Sequence, residues 1–370
     1  MKLLSARFYV ASALCLAAMA SCGQASNGDV EKLRMIESTL ATVIVPSFDE
    51  LDRTAKVMQT AIATVVTDPT QTNLDVARAA WRASRVSWKN TETFGFGPAM
   101  DLRLVVAIDQ SPIDPLKVDE EVNGAAALSS SYVEQLGANR KGFHAMEYLL
   151  FRAQDDAAVL PSLTSDAAAP RRRELLKAYS ENFVVQVDVL RDAWLVGNGH
   201  RDLMLSPGAD NPTYGTVKSV IDTLVNESVF VTEFLIKTRL GKPMGTATGG
   251  VPQPALEESG PSDNSIADLR SSVESVRNMY LGTRDGSVGS GLTVLVAEQN
   301  PATDFAMQEA LRAALIAIDA IPRPFATSLV QMNPALDRAL LAVREVKRLY
   351  ATEVVAALGV TLRFNDNDGD

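Results

Sequence analysis

The chain holds two cysteines and two histidines in 370 residues. Cys15 and Cys22 both lie in the N-terminal leader segment, so the rest of the chain has no disulfide to staple it and no free thiol. It must be held together by its core. Aromatic residues make up only 6% of the chain, and strand-like alternation bounded by turns is scarce. No stretch after residue 22 approaches the roughly 18 apolar residues needed to span a bilayer. There is no basic stripe, and the formal charge is −10, which argues against nucleic acid as a partner. Also missing are the H-E-x-x-H signature of zinc peptidases, its inverted form and the nucleophile elbow of serine hydrolases.

The N-terminus reads as a secretory signal. Lys2 and Arg7 give a basic start, residues 9–20 are apolar, and Ala20-Ser21-Cys22-Gly23 looks like the lipobox of bacterial lipoproteins. This predicts a signal over 1–22, lipidation at Cys22 and a lipid anchor as the only membrane contact. Loss of Lys2 and Arg7 takes the charge from −10 to −12. The expected place is the periplasmic side of the cell envelope, at the outer membrane, because Gly23 replaces the aspartate that commonly retains lipoproteins at the inner membrane.

Beyond the signal the periodicity is helical throughout. Leu33 to Val66, Leu74 to Phe94, Tyr132 to Phe151 and Arg171 to Trp194 carry apolar stripes in the first half. The runs beginning at Val217, Ile266, Phe305 and Leu336 do so in the second. The punctuation at Gly197-Asn198-Gly199-His200 and Ser206-Pro207-Gly208 falls between them. The expected fold is all-α, two related four-helix bundles packed together, with domains over 23–200 and 201–370. The longest loop, Gly241 to Ser262, is either a disordered linker or an ordered loop near a site, and spacing does not decide. Ser262-Asp263-Asn264-Ser265 reads as the N-cap of the next helix, with Asp268 where a capping box puts its acid.

The chemistry points to Gly142-Phe143-His144-Ala145-Met146-Glu147. A histidine and a glutamate three apart share one helix face, so both can reach one ion. His200 follows Gly197-Asn198-Gly199 and reads as a surface-loop residue. A hard or borderline cation wants more than one imidazole and one carboxylate. Glu92, before the Gly95-to-Pro98 turn, and Asp109 and Asp114, which flank the Ser111-Pro112 turn, are the carboxylates brought to it, with Glu92 and Asp109 preferred. One nitrogen with two or three oxygens suits iron or zinc alike. Trp81, Trp88 and Phe94 are assigned to the bundle core.

Several segments resemble the imelysin family of exported bacterial proteins. They are Val45-Pro46 with Phe48, Ala80-Trp81, Trp88 with residues 91–98, residues 108–114 and Gly142-x-His144-x-x-Glu147. Residues 240–245, Ser262-Asp263-Asn264-Ser265 and Asn278-Met279-Tyr280 complete the set. The resemblance implies two helical bundles with the G-x-H-x-x-E site near their junction, and a part in iron uptake. It therefore predicts an exported, lipid-anchored protein that binds a metal ion or a metal-bearing ligand and works beside iron-uptake proteins. The metal residues are His144, Glu147, Glu92 and Asp109, and Ser262 and Asn264 face a ligand. The alternative is a metallopeptidase using the same residues.

Overall fold

The computed structural model describes residues 27–151 and 156–363. Cys22 and the acidic tail Asn365–Asp370 lie outside the described residues. Among those described there is no strand, and the chain is all-α as its periodicity predicts.

Helix α1 (Asn27–Thr39) passes through a π-helical turn, Leu40–Ile44, into α2 (Val45–Thr67). The next helices are α3 (Gln71–Lys89), the short α4 (Leu104–Asp109), α5 (Gly142–Leu150) and α6 (Ala169–Leu195). The second half supplies α7 (Val217–Phe234), α8 (Ser265–Leu281), α9 (Pro301–Asp319) and α10 (Pro334–Leu349). Several starts are written locally. The Thr70 hydroxyl accepts from Asn73 N at the head of α3, and Thr216 and Ser219 form a reciprocal box at the head of α7. Asn300 and Asn333 cap α9 and α10, each followed by a proline that costs the first turn nothing.

In the first half α2 packs against α3 and α6, and α5 packs against α3, α4 and α6. In the second, α7 lies against α8 and α10, and α9 against α8 and α10. Contact between α3 and α8 joins the two groups, and one continuous apolar core runs through both. Trp81 and Phe94 are buried in it, Phe94 edge-on to Phe48 at 5.2 Å.

Two expectations change. The run from Tyr132 to Phe151 is three short helical pieces, because Lys141 is extended and Gly142 has φ +76°. His200 is not a surface residue: it is 6% exposed, on a short helix, with its ring 4.7 Å from Trp194 and Nε2 2.8 Å from the Tyr214 hydroxyl. It fits there because Gly97, at φ +54°, has no side chain; a Cβ would lie 2.5 Å from the ring. Burial holds the His200 imidazole down to about 4, so it is neutral near pH 7.

Candidate metal centre

α3 carries both an apolar and a cationic face inward. Leu74, Ala77, Trp81 and Trp88 are buried, and so are Arg78, Arg85 and Lys89. With Arg82, the basic residues fall four, three and four apart, which is one helical stripe. The sequence thus does contain a basic stripe, in which Arg78, Arg85 and Lys89 are turned into the protein and matched by acids while Arg82 is exposed.

Arg85, wholly buried, binds Asp109, Glu258 Oε1 at 2.9 Å and Asp268 Oδ2 at 3.2 Å. Lys89 Nζ reaches Glu258 Oε1 at 2.6 Å, Asp109 Oδ2 at 3.0 Å and Glu92 Oε1 at 3.1 Å. Arg239, from the π-helical turn Leu235–Gly241 after α7, holds Glu92 and reaches Glu258 Oε2 at 2.7 Å. The indole N–H of Trp88 donates to Asp109 Oδ2 at 2.7 Å, so this core tryptophan also touches the cluster.

His144 completes it. On α5 its Nδ1 lies 2.7 Å from Glu147 Oε2, and its Nε2 lies 3.2 Å from Asp109 Oδ1, out of line for a hydrogen bond. The position depends on Gly142. A Cβ there would lie 2.4 Å from the Ile108 carbonyl, so only glycine lets the head of α5 close on the end of α4, where Asp109 stands. Glu147 is fixed from the other side, accepting from Ser262 N at 3.0 Å and Ser262 Oγ at 2.6 Å. Asn264 donates to Asp268 Oδ1 at 2.9 Å.

Of the sequence-selected residues, His144, Asp109 and Glu147 thus meet directly, and Ser262 joins them through Glu147. Glu92 belongs to the same cluster but is held by Arg239 and Lys89, away from the imidazole. Asn264 also reaches the cluster through Asp268, not as a cap. Asp263 at φ 52° turns the chain before the helix, and neither Asn264 nor Asp268 forms the expected box. Ser265 accepts from Ser259 N and donates to Glu257. The loop from Gly241 to Ser262 is ordered and folds over the site. It supplies Glu258, which sequence reasoning missed, as it missed Arg85, Lys89 and Arg239.

The electrostatics are those of a buried ionic cluster. Burial opposes the charge on Asp109, yet Arg85 and Lys89 hold its carboxyl well below the usual range. Burial likewise opposes ionisation of Glu258, but Arg239, Lys89 and Arg85 bring it to about 2. For Asp268 burial prevails and the carboxyl is raised. For His144 burial and Arg85 favour the neutral ring, but the carboxylates of Asp109 and Glu147 on either side of it outweigh them and raise it to about 9.

The donor set could hold a metal ion. Ligand atoms of Asp109, His144 and Glu258 lie within 4.8 Å of one another, and His144 Nε2 is a buried nitrogen with no hydrogen-bond partner. Five carboxylates, Glu92, Asp109, Glu147, Glu258 and Asp268, face three fixed cations, Arg85, Lys89 and Arg239. With a neutral imidazole that leaves two negative charges unmatched, the charge of one divalent cation. Protons on His144 and Asp268 balance the same excess.

Comparison with known proteins gives one consistent picture. The model of the imelysin peptidase family matches residues 44–352. Iron-regulated protein A of Synechococcus elongatus is 30% identical over 298 residues, which is 80% of this chain and 77% of the relative. A solved structure described as an iron-regulated protein A precursor, from Parabacteroides distasonis, superposes with a TM-score of 0.77 at 21% identity, over 91% of this chain and 97% of the other. An imelysin-like protein from Psychrobacter arcticum gives 0.73 at 15% identity, over 92% and 99%. These two share the fold.

Proposed function

Because the chain belongs to the imelysin family, we propose that it is an exported, lipid-anchored protein that binds a metal ion, or a metal-bearing ligand, in bacterial iron uptake. The carrying observation is the Nε2 of His144, which makes no hydrogen bond and is held in a buried cluster whose carboxylates exceed its fixed cations by two. Asp109, His144 and Glu258 would be the ligands. Glu147 would hold the imidazole by Nδ1 so that Nε2 faces the ion, as carboxylates commonly do for metal-binding histidines. The iron assignment draws on the name of the Synechococcus relative, the anchor on the Cys22 motif, and the proposed site at the outer membrane facing the periplasm on Gly23 after it.

The division into domains over 23–200 and 201–370 belongs to the same reading. It puts the site at the junction: Arg85, Lys89, Glu92, Asp109, His144 and Glu147 come from one side, and Arg239, Glu258, Ser262 and Asp268 from the other. A peptidase would need a carboxylate free to take a proton from water. Glu147 is 1% exposed and spends both oxygens on Ser262 and His144, which favours binding over turnover.

The test is metal analysis and calorimetric titration of the chain beginning after Cys22, with iron(II) and zinc, for wild type and His144→Ala/Glu147→Ala. Stoichiometric binding lost in a variant that keeps its helicity is the expected result. A folded wild type that binds neither ion would overturn the proposal.

A further inference from the structure

A cavity of about 890 Å³ opens beside the charge cluster, between α3, the loop bearing Ser262 and the turn at Pro324. Two arginines one turn apart on α3, Arg78 and Arg82, form one wall, and both guanidinium groups lie over the Phe151 ring, 5.3 and 4.7 Å from its centre. They are not equivalent. Arg78 is spent: it donates to the Leu150 carbonyl at 2.7 Å and is paired with Asp75 and Asp156. Arg82 makes one hydrogen bond, from Nη2 to the Ser262 carbonyl at 2.9 Å, and has no carboxylate partner among the described residues. Burial, then Arg78 and Arg323, push the Arg82 guanidinium below its ordinary value.

The acids around the cavity among the described residues are engaged or damped. Asp75 and Asp156 serve Arg78. Asp263 accepts from Phe325 N at 3.3 Å and stands 4.0 Å from Arg323. Glu257 accepts from Ser265, and burial raises its carboxyl. What the wall has left to offer is therefore donor capacity at Arg82, a planar fork matched to a carboxylate. The surrounding Phe151, Pro254 and Pro324 give a carbon skeleton something to lie against. The volume falls in the range of small-molecule sites, about 300–1,000 Å³, and far exceeds an inorganic ion.

We propose that this cavity binds a small organic carboxylate, its carboxylate gripped by Arg82 and its carbon skeleton laid against Phe151. The site stands on its own and does not require the metal reading. The probes are succinate, a weak chelator, and citrate, titrated in metal-free buffer against wild type, Arg82→Gln and Arg82→Lys, with inorganic phosphate as the competing anion. At least one carboxylate should bind in the millimolar range or tighter. Binding should weaken about tenfold or more in Arg82→Gln, as expected for loss of a charge-assisted bond. Arg82→Lys keeps the charge without the fork and should fall between; it carries the test if the glutamine variant misfolds. No binding of either acid at about 10 mM, unchanged binding in both variants, or phosphate binding as tightly as the carboxylates would each overturn the assignment.

Discussion

His144 holds Glu147 through one ring nitrogen and points the other at Asp109, 3.2 Å away, without forming a hydrogen bond. A ring so placed has a proton or a metal to choose between. With His144 raised to about 9, the proton wins at neutral pH unless an ion displaces it. Metal affinity should therefore rise about tenfold per pH unit from pH 6 to pH 8 and level off above about 9. Calorimetry at pH 6, 7 and 8, in buffers of different ionisation enthalpy, measures both the slope and the released proton. The metal-free protein should behave oppositely. A raised histidine contributes its full stability below the unfolded value of about 6.5 and loses it as pH climbs through about 9.

Ser262 ties the loop to the imidazole through Glu147. Ser262→Ala removes the hydroxyl donor but keeps the backbone one, leaving Glu147 less firmly oriented. Metal affinity should fall about tenfold, the lower end for loss of such a support, with little change in helicity. Equal affinity in titrations of the two proteins would mean that the backbone donor suffices.

Lys89 touches three of the five carboxylates. Lys89→Met keeps most of the stem and deletes the charge, so those acids lose a buried counter-ion. Urea unfolding should register a loss of about 3–5 kcal/mol. A loss below about 1 kcal/mol would show that water or protons take over the role of the ammonium group.

His200 gives the second pH signature. Its folded value, about 4, lies below the unfolded value, so the unfolded chain takes up the proton first. The stability that the neutral ring contributes is complete above about 6.5 and drains away as pH falls to about 4, by up to about 3 kcal/mol. His200→Gln should flatten that acid limb even if the variant starts from lower stability. Urea midpoints at pH 7, 5.5 and 4.5 give the comparison; parallel curves would assign the acid limb to other groups.

The all-α class was readable because helical spacing and the Asn-Pro and Thr caps are local properties of the chain. His144, Asp109 and Glu147 were readable for a related reason, since a motif and a turn flag them. The remainder depends on long-range placement. Arg85 and Lys89 share a stripe with Arg78 and Arg82, but charged residues on a helix are ordinarily solvated, and nothing within α3 says that carboxylates will arrive from another part of the chain. Glu258 sits in a loop whose composition equally fits a linker. The cap expected at Asn264 failed because Asp263 bends the backbone first, and the side chains that would have capped α8 are drawn to Ser259, Glu257 and Asp268.

Gly142 gives the signature a meaning that its ligands do not. Its missing methyl is a clearance tolerance: the Ile108 carbonyl occupies the space where a Cβ would go. An alanine there would leave every proposed ligand atom in the sequence and still pry His144 from Asp109. Such a chain would pass a search for metal-binding residues while lacking the fit that brings them together, so the first letter of G-x-H-x-x-E describes a hinge-pin hole and the other two the parts it aligns.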